Sequence, residues 1–397
     1  MEGGKMQTPV ICAVARTPVG CYRGALRNYS ATELGSMTVE HLLESLDISP
    51  DSGIIDELLF GQVLQAGAGQ APARQVAIRA GLPFSTPCTT INKVCGSSLK
   101  AAMIAASAIR AGEYEVVVAG GMESMTNAPL FARITGKNEY GEMKNVMIHD
   151  GLWDIYNDEH MGITGETVAR DFDISREDSD SFSARSHRLA AQAWESGWLE
   201  WEAFPIEGVN REGEEMILVH DEGIRRTTNV EKLSELQPVF STDGQITAGN
   251  ASQLSDGASA VLMASRARAE AEGWPILATI VDQTTSGLES AKVMAAPIPA
   301  ISTLLERNNL TIDDLDIIEH NEAFAAASCA IAKNFEIPDE KFNPHGGAVA
   351  IGHPLGATGT RCLMTLINAL RRTGGKKGIV TLCLGGGNAV AMLIESE

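Results

Sequence analysis

The chain has 397 residues, of which 44% are hydrophobic and 21% charged, a composition typical of a globular protein with enough apolar material for a buried core. The formal net charge of −20 at pH 7 argues against nucleic-acid binding and against docking on anionic membranes, because both need a basic surface. Any anionic ligand must therefore be bound by a local cluster of basic residues.

Short apolar runs rich in β-branched residues alternate with segments of helical composition along the chain. The predicted strands are residues 10–14, 57–62, 115–119, 258–263, 276–282, 316–319 and 378–384. The predicted helices are residues 31–45, 71–80, 97–111, 323–334 and 357–372. This alternation predicts an α/β protein with a mostly parallel sheet and helices packed against it.

The two ends of the chain resemble each other in the order of their predicted elements. In the first, a strand and a helix lead to a loop with Cys95, the helix 97–111 and a strand that ends in two glycines. In the second, the same order leads to His353, the helix 357–372 and a strand that also ends in glycines. We interpret this as a duplicated half. Two halves related by a pseudo-twofold axis would bring both helix starts to a common centre.

Residues 128 to about 250 break this pattern. They have few strand-like runs and are richer in charge and in aromatic residues, namely Trp153, Tyr156, Trp194, Trp198 and Trp201. The segment is predicted to be an insertion carried by the first half. Substrate contacts often lie on such insertions.

The seven cysteines show neither a paired framework nor a Cys/His spacing typical of zinc, so we predict reduced thiols and no metal site. The stretch Met1–Pro9 lacks the features of a signal or transit peptide. No run approaches the roughly 18 apolar residues of a membrane span. The chain is predicted to be cytoplasmic, without membrane insertion.

Cys95 and His353 each precede a predicted helix. A thiol at a helix N-terminus lies near free backbone N–H groups, which favour the thiolate, although a buried inert cysteine is the commoner case. His353 lies among glycines, which permit the close approach of a ligand. A nucleophilic thiol needs a base, and His353 is the candidate.

Cys383 and Asn321 are the other candidates. Cys383 follows a strand and precedes three glycines. It could form a disulfide or transfer protons. Asn321 could hold a water or an oxyanion, or could simply cap a helix.

Four motifs in this order resemble the thiolase family, and the resemblance runs essentially end to end. They are Cys95, the Asn321-Glu-Ala-Phe324 block, the Gly352-His-Pro354 block and the Cys383-Leu-Gly-Gly-Gly387 block. Further matching blocks are residues 15–18, 69–75, 120–124 and 249–257.

The resemblance implies a thiolase fold, in which two duplicated βαβαβαββ halves form a five-layer α-β-α-β-α core with an inserted loop domain. The expected N-terminal half comprises residues 1–127 and 250–272, and the C-terminal half comprises residues 273–397. Residues 128–249 are the expected loop domain, with coenzyme A and oligomer contacts. The segment Thr135–Met147 matches the tetramer-forming loop of the family, so a homodimer or homotetramer is expected.

The resemblance also implies residue roles. Cys95 would be the acylated nucleophile, and His353 would activate it. Cys383 would move the α-proton of the second substrate. Asn321 would hold a water that forms one oxyanion hole with His353, and the N–H groups of Cys95 and Gly385 would form the second.

The expected activity is the reversible condensation of two acetyl-CoA to acetoacetyl-CoA, with coenzyme A thioesters as substrates and no separate cofactor. Ser252 matches the position that contacts the pantetheine arm, and Arg225 matches an arginine on the nucleotide end. Bulk in the acyl pocket favours a short chain. The substrate-binding set is Leu152, His160, Met161, Arg225, Lys232, Phe240, Ala248, Gly249, Ser252 and Phe324.

Some departures and alternatives remain at this stage. Ser98 stands where the family usually has glycine, and Asn388 and Ala389 replace the usual residues after the triple glycine. We expect these to reshape the acyl pocket. Lys232 replaces a residue that is often small and polar. The alternatives are a longer-chain 3-ketoacyl-CoA thiolase, a ketoacyl synthase with His345 as second histidine, and a thiolase-like protein that only binds lipid or serves as a scaffold.

Overall fold

A computed structural model describes residues 6–397 of the chain. Residues 1–5, part of the stretch from which the absence of a targeting peptide was predicted, lie outside the described residues. The strands are β1 (Pro9–Arg16), β2 (Gly20–Cys21), β3 (Glu57–Gly61), β4 (Cys88–Ile91), β5 (Val116–Ser124), β6 (Leu130–Phe131), β7 (Ile134–Gly136), β8 (Glu139–Tyr140), β9 (Lys144–Asn145), β10 (Trp153–Asp154), β11 (Glu159–His160), β12 (Ile206–Val209), β13 (Glu215–Leu218), β14 (Ser255–Ser265), β15 (Ala278–Gly287), β16 (Ile317–His320), β17 (Lys377–Leu384) and β18 (Asn388–Ser396).

The helices include two long ones, α3 and α11, that follow the predicted reactive residues. They are α1 (Ala31–Glu44), α2 (Pro72–Arg79), α3 (Ser97–Ala111), α4 (Met161–Asp171), α5 (Arg176–Glu195), α6 (Val230–Ser234), α7 (Arg266–Glu272), α8 (Pro297–Arg307), α9 (Ala325–Phe335), α10 (Ala348–Ile351) and α11 (Thr358–Thr373). None of the helices within residues 6–397 is both long enough and apolar enough to cross a membrane.

The two halves have the same strand order. In the first half the order is β4-β3-β5-β14-β1, and in the second it is β16-β17-β18-β15. A single parallel bridge between Ile318 and Phe342 stands where β4 stands in the first half. The halves join where Val10 and Ile11 of β1 pair with Thr279 and Ala278 of β15. The predicted duplication is therefore confirmed, with the third strand of the second half reduced to one bridge.

Side-chain alternation along the strands creates five layers. In β3, Leu58 and Phe60 pack against α1 and α2, while Leu59 faces α3 and α11. In the second half, Leu382 faces α3 and α11, while Ile379 packs against α8. The helices α3 and α11 thus form a central layer between the strands of the two halves, and the layer order is the predicted α-β-α-β-α.

The prediction of a mostly parallel sheet is wrong. Among the strands of residues 6–397, only β3 with β4 and β5, and β16 with β17, pair in parallel. The strands β14 and β18 each lie antiparallel to both of their neighbours. The error has a local cause, since β18 was not predicted. It follows β17 through a turn of three glycines and forms a hairpin, which needs no crossover helix.

Between β5 and β14 lie helices α4 to α6 and eight strands of two to four residues. These short strands pair only with one another, in four two-stranded sheets. The segment is therefore inserted between two strands of the first half, its strands stay outside the main sheet, and its helices α4 and α5 pack against α9 and α10 of the second half.

Candidate active site

Cys95 lies in a strained turn just before α3. Val94 has a φ of 47°, in the left-handed region that a β-branched residue rarely adopts. The turn is held because Val94 N donates to Asn92 Oδ1 at 3.0 Å and Lys93 N donates to Ser97 Oγ at 2.8 Å. Neighbouring groups thus fix the backbone that carries the thiol.

His353 lies in the matching turn before α11, and its tautomer follows from its contacts. Thr358 Oγ1 lies 2.7 Å from His353 Nδ1 and donates its own proton to Pro354 O at 2.9 Å. The hydroxyl must therefore accept from Nδ1–H, which leaves Nε2 as an acceptor. Burial, and secondarily Arg361, lowers the pKa of His353 to about 3, so the ring is neutral at pH 7.

Asn321 follows β16 and lies behind the imidazole. Its Nδ2 is 3.4 Å from His353 Nε2. Its Oδ1 is buried and has no hydrogen-bond partner among residues 6–397. A buried polar atom without a partner is costly, so the amide is suited to bind a water or a ligand atom at this point.

Cys383 lies at the end of β17. Its thiol is 3.6 Å from the thioether sulfur of Met294. Burial, and secondarily the nearby Cys95, raises the pKa of Cys383 well above its usual range. The two thiols are therefore close enough to interact, and Cys383 is protonated at rest.

Cys95 is also protonated at rest. Burial raises its pKa to about 12, although hydrogen bonds from its own N–H and from that of Gly385 act in the opposite direction. A thiolate at this position thus needs a base that accepts its proton. The same two N–H groups face the place where negative charge would develop.

The thiols of Cys95 and Cys383 and the imidazole of His353 meet in one apolar cavity of about 370 Å³. Cys95, His353, Cys383 and Gly385 contribute to its wall. Seven residues of the predicted substrate-binding set also line it, namely Leu152, His160, Met161, Phe240, Ala248, Ser252 and Phe324. Most of the remaining wall is aliphatic, with Met125, Ile148, Leu254 and Val293 among its members.

Three members of that set lie outside the cavity wall. Gly249 packs behind it, where an added Cβ would be 2.5 Å from Leu233 Cδ2. Arg225 and Lys232 are exposed on the loop before and within α6. Lys232 Nζ donates to Thr227 O at 2.8 Å, and the Arg225 guanidinium forms no ion pair within the described residues. The neighbouring Arg226 pairs with Glu195.

The residues flagged as departures do not touch the cavity. Ser98 is fully buried and accepts a hydrogen bond from Thr360 N at 3.0 Å. Asn388 and Ala389 begin β18 and pair with β15 and β17. The expectation that these three residues reshape the acyl pocket stays a prediction, and any such effect must act through the residues that line the wall. His345 also lies outside the wall, near Trp198.

Three residues near the site were not predicted. Thr358 orients His353, and Met294 contacts Cys383. Glu123 is fully buried and accepts from the N–H groups of Val63, Leu64 and Gly356 at 3.0 to 3.2 Å. Burial raises its pKa to about 7. A hydroxyl five residues after a candidate base, at a helix start, is a sequence signal that could have identified Thr358. Met294 and Glu123 depend on long-range packing.

The chain matches the models of the thiolase N-terminal domain over residues 9–267 and the thiolase C-terminal domain over residues 274–396. The chain belongs to the thiolase family. It is 45% identical to the acetyl-CoA acetyltransferase of Pseudomonas aeruginosa, over 99% of this chain and 100% of that protein. As a thiolase, it is an acyltransferase.

Two solved thiolase structures superimpose equally well. The acetyl-CoA acetyltransferase of Bacillus anthracis has a TM-score of 0.94 and 36% identity, covering 99% of this chain and 100% of that one. Human mitochondrial 3-ketoacyl-CoA thiolase has the same TM-score and the same coverage, with 35% identity. Overall similarity therefore identifies the fold and the family but does not distinguish acyl chain lengths.

Proposed function

We propose that this thiolase catalyses the reversible condensation of two acetyl-CoA to acetoacetyl-CoA and coenzyme A, through an acetyl group on Cys95. The observation that carries the proposal is the meeting of two thiols, one neutral imidazole and the Gly385 N–H around one small apolar cavity. The name of the P. aeruginosa relative supports it too.

In the first half-reaction Cys95 Sγ attacks the acetyl carbonyl while His353 Nε2 takes the thiol proton. The tautomer set by Thr358 leaves Nε2 free to accept it. The carbon–sulfur bond to coenzyme A then breaks, and the departing thiolate takes the proton back from the imidazolium. The developing oxyanion is stabilised by the N–H groups of Cys95 and Gly385.

In the second half-reaction His353 Nε2 takes the proton of the Cys383 thiol, and the resulting Cys383 thiolate takes the α-proton of a second acetyl-CoA. The enolate oxygen is stabilised by His353 and by a water on Asn321. The enolate carbon attacks the acetyl carbon on Cys95, and the carbon–sulfur bond to Cys95 breaks to release acetoacetyl-CoA. The departing Cys95 thiolate takes the proton from the imidazolium, which restores both thiols and the neutral ring. Thiolysis is the reverse of these steps. The position of both thiols on the wall of the same cavity supports this division of labour.

Coenzyme A is proposed to enter over the inserted loop domain, residues 128–249. Ser252, Ala248 and Phe240 line the cavity on that side. Outside the cavity, the exposed Arg225 and Lys232 provide positive charge for the phosphates of coenzyme A. Gly249 packs against Leu233, next to Lys232. Because the chain has a net charge of −20, an anionic ligand such as coenzyme A needs local basic residues, and Arg225 and Lys232 supply them.

The acyl-pocket walls support a short chain, because bulky side chains of Leu152, Met161 and Phe324 take up space beside the reactive sulfurs. A longer-chain 3-ketoacyl-CoA thiolase is the second candidate. It is favoured by Met125, Met161 and Met294, since unbranched methionine side chains adapt to ligands of different shape.

The two candidates are separated by measuring thiolysis of acetoacetyl-CoA against a medium-chain 3-ketoacyl-CoA. We expect kcat/KM to favour acetoacetyl-CoA by at least about tenfold, the effect of a few poorly accommodated methylenes. A preference for the longer substrate would refute the short-chain proposal. If the bulk of Leu152 sets the limit on acyl chain length, Leu152→Ala should bring the kcat/KM values for acetoacetyl-CoA and for the medium-chain substrate closer together.

A homodimer or homotetramer, located in the cytoplasm, is also proposed. Large apolar side chains are exposed in the inserted segment, including Leu130, Ile134, Tyr140 and Met143. Exposure of this kind marks protein–protein contacts. All seven cysteines are free thiols, which supports a reducing compartment. Sedimentation of the purified chain tests the assembly, and a monomer at micromolar concentration would exclude it.

A further inference from the structure

The first turns of α3 and α11 cross in direct backbone contact beside the cavity. A Cβ added to Gly359 of α11 would lie 2.3 Å from Leu99 N of α3, and a Cβ added to Gly121 on the neighbouring strand β5 would lie 2.0 Å from Gly356 O, just before α11. No side chain fits at either place. The distance between the first turns of α3 and α11 is therefore set by contact between backbone atoms and by small side chains that form hydrogen bonds from one helix to the other.

Ser98 is such a side chain. It is fully buried, and its Oγ accepts a hydrogen bond from Thr360 N at 3.0 Å. Thr360 is the third residue of α11, and N–H groups in a first turn lack intrahelical partners. The residue before α11, Ala357, provides no side-chain cap. Ser98 thus caps α11 from the other half of the molecule.

This bond joins the two reactive turns. Ser98 lies in the first turn of α3, three residues after Cys95. Thr360 lies in the first turn of α11, two residues after Thr358, whose hydroxyl holds the His353 ring. A shift between the two turns would change the position of the imidazole relative to the thiol.

We propose that Ser98 is a positioning residue that fixes His353 Nε2 relative to Cys95 Sγ and so sets the rate at which Cys95 is acylated. The inference rests on the proposed function, in which His353 accepts the thiol proton. Small displacements between reacting groups have large effects on rate, so one buried hydrogen bond is sufficient for the effect.

The chain contains a matched control for a purely structural role. Ser259 on β14 is also buried, and its Oγ lies 2.6 Å from both Ala357 O and Thr360 Oγ1. It therefore contacts the same turn of α11 as Ser98 does. Unlike Ser98, it is not on the helix that follows Cys95.

The experiment compares Ser98→Ala and Ser259→Ala with the wild-type chain. Rapid mixing with acetyl-CoA, acid quench and mass spectrometry of the Cys95 peptide give the acetylation rate. Titration with coenzyme A gives its Kd, and thermal unfolding gives Tm. The alkylation rate of Cys95 by iodoacetamide is measured against pH as a readout of thiol activation that does not depend on coenzyme A.

We expect both variants to fold with a similar decrease in Tm and an unchanged Kd for coenzyme A. Acetylation of Cys95 should slow about tenfold in Ser98→Ala, the rate equivalent of one hydrogen bond, and less than about twofold in Ser259→Ala. Cys95 alkylation in Ser98→Ala should require a higher pH than in the other two chains.

Equal acetylation rates in the two variants would overturn the inference, as would a Ser98→Ala rate equal to that of the wild type. If the wild-type chain itself is not acetylated on Cys95, the proposed function fails first. The two failures are therefore distinguishable.

Discussion

The turns before α3 and α11 occupy matching places in the two halves, yet they are built in opposite ways. The first holds Val94 in the left-handed region by hydrogen bonds from neighbouring groups. The second places Gly352 there, with a φ of 112°. In the proposed mechanism the first turn carries the nucleophile and the second turn carries the base. The duplicated fold thus provides two equivalent turns, and we propose that the differences between them allow one to carry a nucleophile and the other a base.

The largest expected effect tests that separation directly. Cys95→Ser should reduce turnover by about 10³-fold or more and abolish acetylation of the enzyme, because a serine hydroxyl is a far weaker nucleophile at this site. Cys383→Ser should reduce turnover to a similar extent while Cys95 still becomes acetylated. Mass spectrometry after exposure to acetyl-CoA provides the measurement. Loss of acetylation in Cys383→Ser would contradict the assignment of one half-reaction to each thiol.

The next effect concerns the base. Thr358→Val should lower kcat/KM about tenfold, because Nδ1–H loses its acceptor and the ring loses both its tautomer and its orientation. Thr358→Ser keeps the hydroxyl and is the control, with activity near that of the wild type. Steady-state kinetics with acetoacetyl-CoA provide the measurement. Equal losses in the two variants would show that the methyl group matters and not the hydrogen bond.

The sequence predicted the repeated order of elements, and three of the proposed reactive residues, Cys95, His353 and Cys383, line one cavity, because both the elements and these residues lie in recognisable local patterns. Buried strands such as β5 and β17 are continuous apolar runs, and Cys95 and His353 lie beside glycines that the sequence displays. The direction of the strands was predicted wrongly, because β18, which forms a hairpin with β17 through three glycines, was not recognised as a strand. Contacts between the halves, such as that from Ser98 to Thr360, span 262 positions and leave no local pattern.

The opposite construction of the two turns leads to a prediction about stability. Gly352→Ala should lower the free energy of unfolding by about 2 kcal/mol, because a Cβ there would lie 2.3 Å from Ser255 Oγ at a φ unsuited to alanine. Val94→Gly should cost less than about 1 kcal/mol, since relief of strain offsets lost packing and chain entropy. Chemical denaturation at pH 7 measures both. A larger loss in Val94→Gly would show that Val94 is not strained.

Phe60 and His320 face the outer helix layers from the matching strands β3 and β16, and of the two only His320 titrates, so its effect appears only as a pH dependence. Burial lowers the pKa of His320 to about 3, below its unfolded value of roughly 6.5. The neutral ring is therefore favoured in the folded chain. Its contribution to stability is present above pH 6.5 and is lost as the pH falls towards 3.

Between pH 7.5 and pH 5 the free energy of unfolding should fall by about 2 kcal/mol less in His320→Leu than in the wild type. Ile318→Val, on the same strand, has no titrating group and should show the wild-type pH dependence. Urea unfolding at both pH values provides the measurement. An identical pH dependence in His320→Leu would show that this ring does not titrate with unfolding.

The glycine-lined contact between the first turns of α3 and α11 has a consequence for engineering. Because Gly121, Gly356 and Gly359 leave no free volume, the gap between the halves cannot be adjusted from one side alone. A chimera built from the first half of one thiolase and the second half of another should be active only when both parents share the same geometry along this seam. The fit along this seam is therefore a condition for an active chimera that the stability of either parent does not guarantee.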